Sequence, residues 1–208
     1  MLHVGNAGGG RILVDPGALQ YDPKFLDDWA RTDAVLITHW HVDHFNHDAI
    51  KQINAPVYAT AEAAKKYPDI KITIVKPGDK LELAPGIIAQ VTNAFHGYNP
   101  WLKGPLEVEQ TVGYMIAAEG KKIYFTGDTI CFKNEYKCDV LCAPVSGYGL
   151  TMSPFEVALF ANECGAELVL PCHMDNPKYP VETEKVQSIL SAHETNCRVL
   201  KPSEFVNV

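Results

Sequence analysis

Four of the eight histidines in the chain, His39, His41, His44 and His47, fall within nine residues, directly after the apolar run Ala34-Val35-Leu36-Ile37. Imidazole is a common ligand for zinc and related divalent ions, and Asp43, inside the same stretch, adds a hard oxygen and a negative charge. In Thr38-His39-Trp40-His41-Val42-Asp43-His44 the strand is expected to end. An extended His-x-His pair turns both rings to one side, because side chains along a strand alternate with a period of two, and two such rings can share one ion. Asp43 and His44 lie where the chain must turn toward a helix, and there they can face a second ion beside the first. A lone histidine at a strand end is ordinarily just a hydrogen-bonding group. This heptad reads instead as a two-metal pattern.

Further donors are expected at other strand ends, and Phe95-His96-Gly97, Phe125-Thr126-Gly127-Asp128-Thr129 and Leu170-Pro171-Cys172-His173 each follow an apolar run. Loops at one edge of a rigid scaffold can converge on a site although they are far apart in sequence. Asp15, ahead of Pro16-Gly17, reads either as an ordinary turn residue or as a carboxylate that orients a ligand ring. His47 reads as the opening of a helix capped by Asn46 or Asp48 rather than as a ligand, and His3 and His193 are weaker candidates still. Cys172 adjoins His173, but strand alternation turns its thiol away toward the core; Cys131 is ambiguous. The segment from Tyr98 to Pro105 reads as a loop after His96. There Trp101 shields the site and Lys103 meets an anionic group, or the two are simply solvated. Ser146, Tyr148 and Asn176 are further pocket candidates.

The elements that must position these residues follow from the hydrophobic pattern. With 208 residues, 47% of them hydrophobic and 21% charged, a globular core is expected, and no linker divides the chain, so residues 1–208 read as one domain. Short runs rich in Val and Ile place strands near 11–15, 34–38, 56–59, 71–76, 80–84, 86–95, 111–118, 121–127, 139–143, 167–171 and 197–200. Helices are expected at about 23–31, 47–54, 60–67 and 181–194. Another opens at Ser153-Pro154-Phe155-Glu156, a capping box with Pro at the first helical position, and closes at Gly165. Gly78-Asp79, Pro85-Gly86 and Glu119-Gly120 supply hairpin turns, so 70–127 reads as antiparallel hairpins while the rest alternates strand with helix. The fold class is therefore α/β, with two mixed sheets and helices on the outer faces.

Composition excludes several function classes. No apolar run approaches the roughly 18 residues needed to cross a bilayer, and the first residues, Met1-Leu2-His3-Val4-Gly5-Asn6, lack a basic segment followed by an apolar one, so a soluble, cytoplasmic protein is expected. Six cysteines without a C-x-x-C pair read as reduced thiols. A net charge of −7 argues against a nucleic-acid partner, since phosphate tracking needs clustered Lys and Arg.

Through the Thr38-to-His44 motif, His96, Thr126-Gly127-Asp128-Thr129, His173 and Asp15-Pro16-Gly17, nearly the whole chain resembles the metallo-β-lactamase fold superfamily. Gly149-Leu150-Thr151-Met152-Ser153-Pro154 followed by a helix, and Pro171-Cys172-His173, resemble its ascorbate-6-phosphate lactonase-like branch of metal-dependent hydrolases. The resemblance implies a four-layer αββα sandwich holding two divalent metal ions, zinc first, with manganese or iron also suited. By the same resemblance one ion takes His39, His41 and His96, the other takes Asp43, His44 and His173, Asp128 bridges them, and Asp15 is the support residue. Asp43, Asp128 and His173 are then also the residues expected to carry the chemistry. Family members usually begin with an extra strand carrying a Gly-His pair, whereas only Met1 to Asn6 precedes the Gly8-Gly9-Gly10 turn here. An edge strand is therefore expected to be missing, its place open to a partner subunit in a homo-oligomer, or the start of the gene product lies upstream.

Two such ions can hold a hydroxide between them at neutral pH, and that hydroxide is the expected nucleophile. Two divalent cations outweigh two carboxylates and a hydroxide, so a positive centre sits inside an acidic protein and draws small anionic substrates, whether ester, lactone or phosphodiester. Three other readings stand beside this one. A nuclease of the ribonuclease Z kind favours an added basic arm, which the sequence does not display. A di-iron redox member is expected to replace a ligand histidine with a carboxylate and to carry a flavin domain. A non-catalytic, metal-stabilised binding module is expected to have lost ligands, whereas all seven positions are filled.

Overall fold

The computed structural model describes residues 2–19, 21–99, 101, 108–174, 176–202 and 204–208. Its strands form two mixed sheets, one in the order β1-β2-β3-β4-β5 and one in the order β11-β10-β9-β8-β7-β6. The chain divides into two compact units, Met1–Asn93 with Val108–Glu119, and Ala94–Glu107 with Gly120–Val208. Among the described residues no helix is long and apolar enough to cross a membrane.

In the first unit, β1 (Leu2–Gly5), β2 (Arg11–Val14), β3 (Ala34–Leu36), β4 (Val57–Ala59) and β5 (Ile72–Ile74) make the first sheet. From β2 to β5 the pairing is parallel, and β3 is buried on both faces, which is why it reads as an unbroken apolar run rather than an alternating one. A 3-10 turn (Pro23–Phe25) leads into α1 (Leu26–Trp29), and α2 (His47–Ile50) and α3 (Ala61–Lys66) complete the unit's helices. Both of the first two are shorter than the pattern suggests; after α2 the chain tightens into i→i−3 bonds, Gln52 N donating to Ala49 O and Ile53 N to Ile50 O, both at 3.0 Å. Trp29, Phe45, Ala49 and Ile50 pack with Leu13, Val35 and Ile37 in one buried cluster.

The leading edge strand expected to be missing is present. β1 runs antiparallel to β2, with Leu2 opposite Val14 and Gly5 opposite Arg11. The chain can reverse there because Gly9 takes φ 86°, its N–H donates to Asn6 O at 3.0 Å, and Asn6 Oδ1 accepts from Gly10 N at 2.8 Å. Leu2-His3-Val4-Gly5 lacks the unbroken apolar run that marks β2 and β3, so this turn chemistry is the clearer sign of the strand.

The same unit contains β6 (Lys80–Ala84), β7 (Ile87–Asn93) and β8 (Val112–Ala118), paired antiparallel; of the expected hairpin turns Pro85-Gly86 joins β6 to β7, whereas Gly78-Asp79 carries the chain from β5 to β6 in the other sheet and makes no hairpin. Tyr114 of β8 is fully buried and donates its hydroxyl to Ile37 O at 2.9 Å and to Tyr58 O at 3.3 Å. Val112 N donates to Thr38 O at 3.1 Å. The meander thus grips the chain where β3 gives way to the histidine heptad.

The second unit holds three parallel strands, β9 (Lys121–Phe125), β10 (Val140–Pro144) and β11 (Leu168–Cys172), with α4 (Pro154–Cys164) and α5 (Thr183–Ala192). The capping box of α4 forms as expected, with Glu156 Oε2 accepting from Ser153 N at 2.7 Å and Gly165 closing the helix at φ 68°. The strand expected at 197–200 reduces to a single parallel bridge between Val169 and Cys197.

Removing the Tyr114 hydroxyl leaves Ile37 O without that donor in a fully buried place. Tyr114→Phe is expected to lower stability by about 1–3 kcal/mol, read from the urea midpoint, with the denaturant slope unchanged.

Candidate metal centre

Asp15 stands immediately after β2 with a left-handed backbone, φ 48°. That backbone turns its carboxylate back toward the start of the heptad. Oδ1 accepts from Thr38 N at 2.8 Å, and Oδ2 accepts from Thr38 Oγ1 at 2.8 Å and from His44 Nδ1 at 2.8 Å. Of the two readings left open for Asp15, the orienting one is observed. His39 is fully buried, with Nδ1 at 3.1 Å from Thr38 Oγ1 and Nε2 at 3.0 Å from His41 Nδ1. At that separation one of the two facing nitrogens carries a proton, or both turn lone pairs onto a cation. The His39 and His44 rings have centroids 4.2 Å apart, and Asp43 Oδ2 is 3.9 Å from His44 Nε2. A tight turn holds this group, since His44 N and Phe45 N both donate to His41 O, Ala18 N to Val42 O, and Asn46 N to Pro16 O. Gly17 has no alternative there: a Cβ would run into the Asp43 carbonyl.

The second unit assembles its donors around one oxygen. Asp128 Oδ2 lies 3.8 Å from His96 Nε2 and 3.3 Å from His173 Nε2, with all three side chains at most 10% exposed. His96 Nδ1 is 2.7 Å from its neighbour's carbonyl, Gly97 O. His173, left-handed at φ 59°, places Nδ1 at 3.0 Å from Ser146 Oγ, which is itself 2.9 Å from Thr151 Oγ1. Ser146, only a pocket candidate in the sequence, thus fixes a donor ring. Thr38 and Thr151 lie in motifs that the sequence displays, but neither was given a role; the available signal was the position of Thr38 directly ahead of His39.

These contacts decide which nitrogen each ring presents. A carbonyl oxygen only accepts, so His96 carries its proton on Nδ1, and the Asp15 carboxylate likewise takes the Nδ1 proton of His44. A neutral ring so held has Nε2 as its lone-pair nitrogen, the arrangement that metal-ligating histidines share. His39, His41, Asp43 and His44 of the first unit, and His96, Asp128 and His173 of the second, all belong to groupings of His and Asp side chains able to hold a metal ion. Imidazole nitrogens with carboxylate oxygens suit zinc, manganese or iron, so the residues present fit such an ion.

Other candidates fall elsewhere. His47 opens α2, whose N-cap is Asn46, and its ring engages Asp69 at 2.9 Å and Asp48 at 3.1 Å. Trp101 is 89% exposed, and Lys103 lies outside the described residues. Asn176 accepts from Lys178 N in a local turn. Cys172 and Cys131 are half-buried, and burial pushes the Cys131 thiol upward. His193 packs its ring on Phe155.

A family described as the β-lactamase superfamily domain matches residues 4–173. This chain belongs to the metallo-β-lactamase superfamily. Within the superfamily it is similar to proteins named UPF0173 metal-dependent hydrolase. The one from Geobacillus thermodenitrificans is 30% identical over 96% of this chain and 93% of its own, and the one from Rubrobacter xylanophilus is 31% identical over 95% and 88%. Among solved structures, Igni18, a metallo hydrolase from the archaeon Ignicoccus hospitalis, matches with a TM-score of 0.79 at 25% identity, covering 98% of this chain and 92% of that one.

Two expectations follow. Gly17→Ala pushes the Asp43 backbone away; it is expected to cost about 1–3 kcal/mol in stability and to lower the metal content of the purified protein after loading with a divalent cation, measured by mass spectrometry. Separately, the Asp69 and Asp48 carboxylates hold the His47 imidazole above its ordinary value of 6.5. The stability this supplies is complete below that value and is lost as pH rises through the folded value. Replacing His47 with Gln should flatten the fall in urea midpoint just above pH 6.5, and proton NMR of the wild type should place the His47 titration above 6.5. Asp69, held down to about 2 chiefly by Lys51 and then by His47, contributes on the acid side, where its stabilisation disappears as pH falls toward that value.

Proposed function

We propose that this metal-dependent hydrolase binds two divalent cations, zinc first, and cleaves a small anionic ester, lactone or phosphodiester, as its resemblance to the ascorbate-6-phosphate lactonase-like branch implies for a metal-dependent hydrolase. In this reading residues 1–208 work as one hydrolase domain. His39, His41 and His96 hold one ion, Asp43, His44 and His173 hold the other, and Asp128 serves both. The observation that carries it is Asp128 Oδ2, 3.8 Å from His96 Nε2 and 3.3 Å from His173 Nε2, supported by the Nδ1 contacts of His44 with Asp15 and of His96 with Gly97 O, which suit both rings to offer Nε2 to an ion.

Bound at such donors, divalent cations acidify water at neutral pH and polarise a carbonyl or phosphoryl oxygen. The chain supplies the rest. Asp15 and Ser146 keep the His44 and His173 rings from turning, and the small exposure of His96, Asp128 and His173 limits competing water. Asp43 and Asp128 bring two negative charges, which balance only part of the charge of two divalent ions, so an anionic group is drawn in. The complete set of seven donors favours a catalyst over a binding module, and the chain's net charge of −7 favours a small substrate over nucleic acid.

The test is metal-supplemented hydrolysis of a panel of lactones, phosphodiesters and phosphorylated sugars by wild type, Asp128→Ala and His41→Ala. Both variants should lose bound metal, and at least about 100-fold in kcat/KM, more than the roughly 10- to 100-fold typical of removing an outer partner. Equal activity in all three proteins would exclude the proposed chemistry.

A further inference from the structure

The end of α3 is set by local signals. Thr60 caps its first turn, with Ala63 N donating to Thr60 Oγ1 at 3.3 Å, and Pro68 disfavours helical backbone for the residue before it. Tyr67 accordingly keeps one last bond, its N–H to Ala63 O at 2.9 Å, and leaves the helix at φ −122° and ψ 68°. That exit carries the phenol onto the histidine heptad. Its hydroxyl donates to Trp40 O at 3.1 Å, and its ring stacks on Phe45, inclined 16° with centroids 4.1 Å apart. Lys66, one residue earlier, sets Nζ 4.6 Å from the centroid of the Trp40 ring.

Trp40 separates His39 from His41, and Phe45 follows His44. Beyond His41 the chain is tied by its own turn, since His44 N and Phe45 N donate to His41 O at 2.9 and 2.8 Å. Ahead of His39 it is tied through Thr38, whose N–H and hydroxyl go to Asp15 and whose carbonyl accepts from Val112 N. Between those anchors lies the peptide joining Trp40 to His41, and Tyr67 holds its carbonyl. A peptide is planar, so fixing the direction of the Trp40 oxygen also fixes the direction of His41 N, and with it the way the His41 side chain leaves the backbone. The His41 ring turns Nδ1 to His39 Nε2 at 3.0 Å, so there it meets another candidate ligand, whereas His44 meets the outer carboxylate of Asp15. Burial pushes the Tyr67 phenol above its ordinary value of 10, so the hydroxyl keeps its proton through the neutral range and remains a donor.

We infer that Tyr67 is a positioning residue for the metal centre: through the Trp40 carbonyl it holds His39 and His41 in the arrangement in which both rings serve one cation. That the pair binds a cation at all rests on the reading proposed above; the brace itself rests on the Tyr67 hydrogen bond and on its stacking against Phe45. Tyr67 acts through the backbone and not as a ligand.

The experiment measures zinc affinity by competition with a chelating indicator, and the visible spectrum of the cobalt(II)-loaded protein, for wild type, Tyr67→Phe and His41→Ala under conditions where circular dichroism shows each to be folded. Tyr67→Phe keeps the ring on Phe45 and removes only the donor. It is expected to weaken zinc binding roughly tenfold, the lower end of the loss on removing an outer partner of a ligand, and to shift the cobalt bands, which report ligand geometry. A group that only supports the fold moves the urea midpoint and leaves zinc affinity and cobalt bands as they were; that result overturns the proposal. If Tyr67→Phe does not fold, 4-fluorophenylalanine at position 67 decides, because it fills the place of the hydroxyl and cannot donate: unchanged zinc affinity overturns the proposal and weakened affinity supports it. The two readings fail differently. Absence of zinc binding in wild type removes the metal centre and the role of Tyr67 together. Zinc binding that His41→Ala weakens and Tyr67→Phe leaves unchanged removes the role of Tyr67 alone.

Discussion

The constraint on which this structure turns is the partner that each imidazole of the candidate metal centre meets through Nδ1. A ring that donates from Nδ1 can offer only Nε2 to a cation, so whichever group receives that Nδ1 proton decides the direction in which the ring binds. For His44 the receiver is Asp15, and the same carboxylate also accepts from the backbone and hydroxyl of Thr38. One side chain after β2 therefore sets the strand end after β3 and the ring beyond it. The parallel pairing of β2 with β3 brings those two strand ends side by side, and Tyr114 secures the neighbouring carbonyl from the meander.

The second unit reaches the same result with weaker partners. His96 is fixed by a carbonyl one residue away, so its orientation needs no distant residue at all. His173 relies on Ser146, itself held by Thr151, and on a left-handed backbone of its own. A carboxylate partner raises the basicity of a ligand ring more than a carbonyl or hydroxyl does. The histidines are thus not equivalent, and His44 is the most electron-rich of those whose partners are resolved.

Most of the fold was legible in the sequence. Apolar runs bounded by Gly, Pro and capping residues marked ten of the strands, and Ser153, Pro154, Glu156 and Gly165 fixed both ends of α4 because every one of those signals is local. The candidate site was legible through residue type, with His39, His41, Asp43 and His44 packed into the turn after β3. What stayed hidden depends on distant partners or on backbone torsion. Nothing in Asp15-Pro16-Gly17 announces that the aspartate is left-handed, and Ser146 looks like any serine until His173 stands beside it. β1 was missed because Leu2 and Val4, separated by His3, lack the unbroken apolar run that marked β2 and β3, and 197–200 was mistaken for a strand because Val199-Leu200 resembles one whether or not a ladder continues.

The far border of the first sheet closes on a quieter matter. β5 is three residues long and solvent-facing, with Ile74 58% exposed, and exposed lysines, Lys71 and Lys76, stand just beyond its two ends. Unpaired strand edges invite templated addition of further chains, and natural proteins blunt them with brevity and with lysine. Here both devices guard one rim, so crowding at high concentration meets charge repulsion before it meets a continuous row of backbone donors.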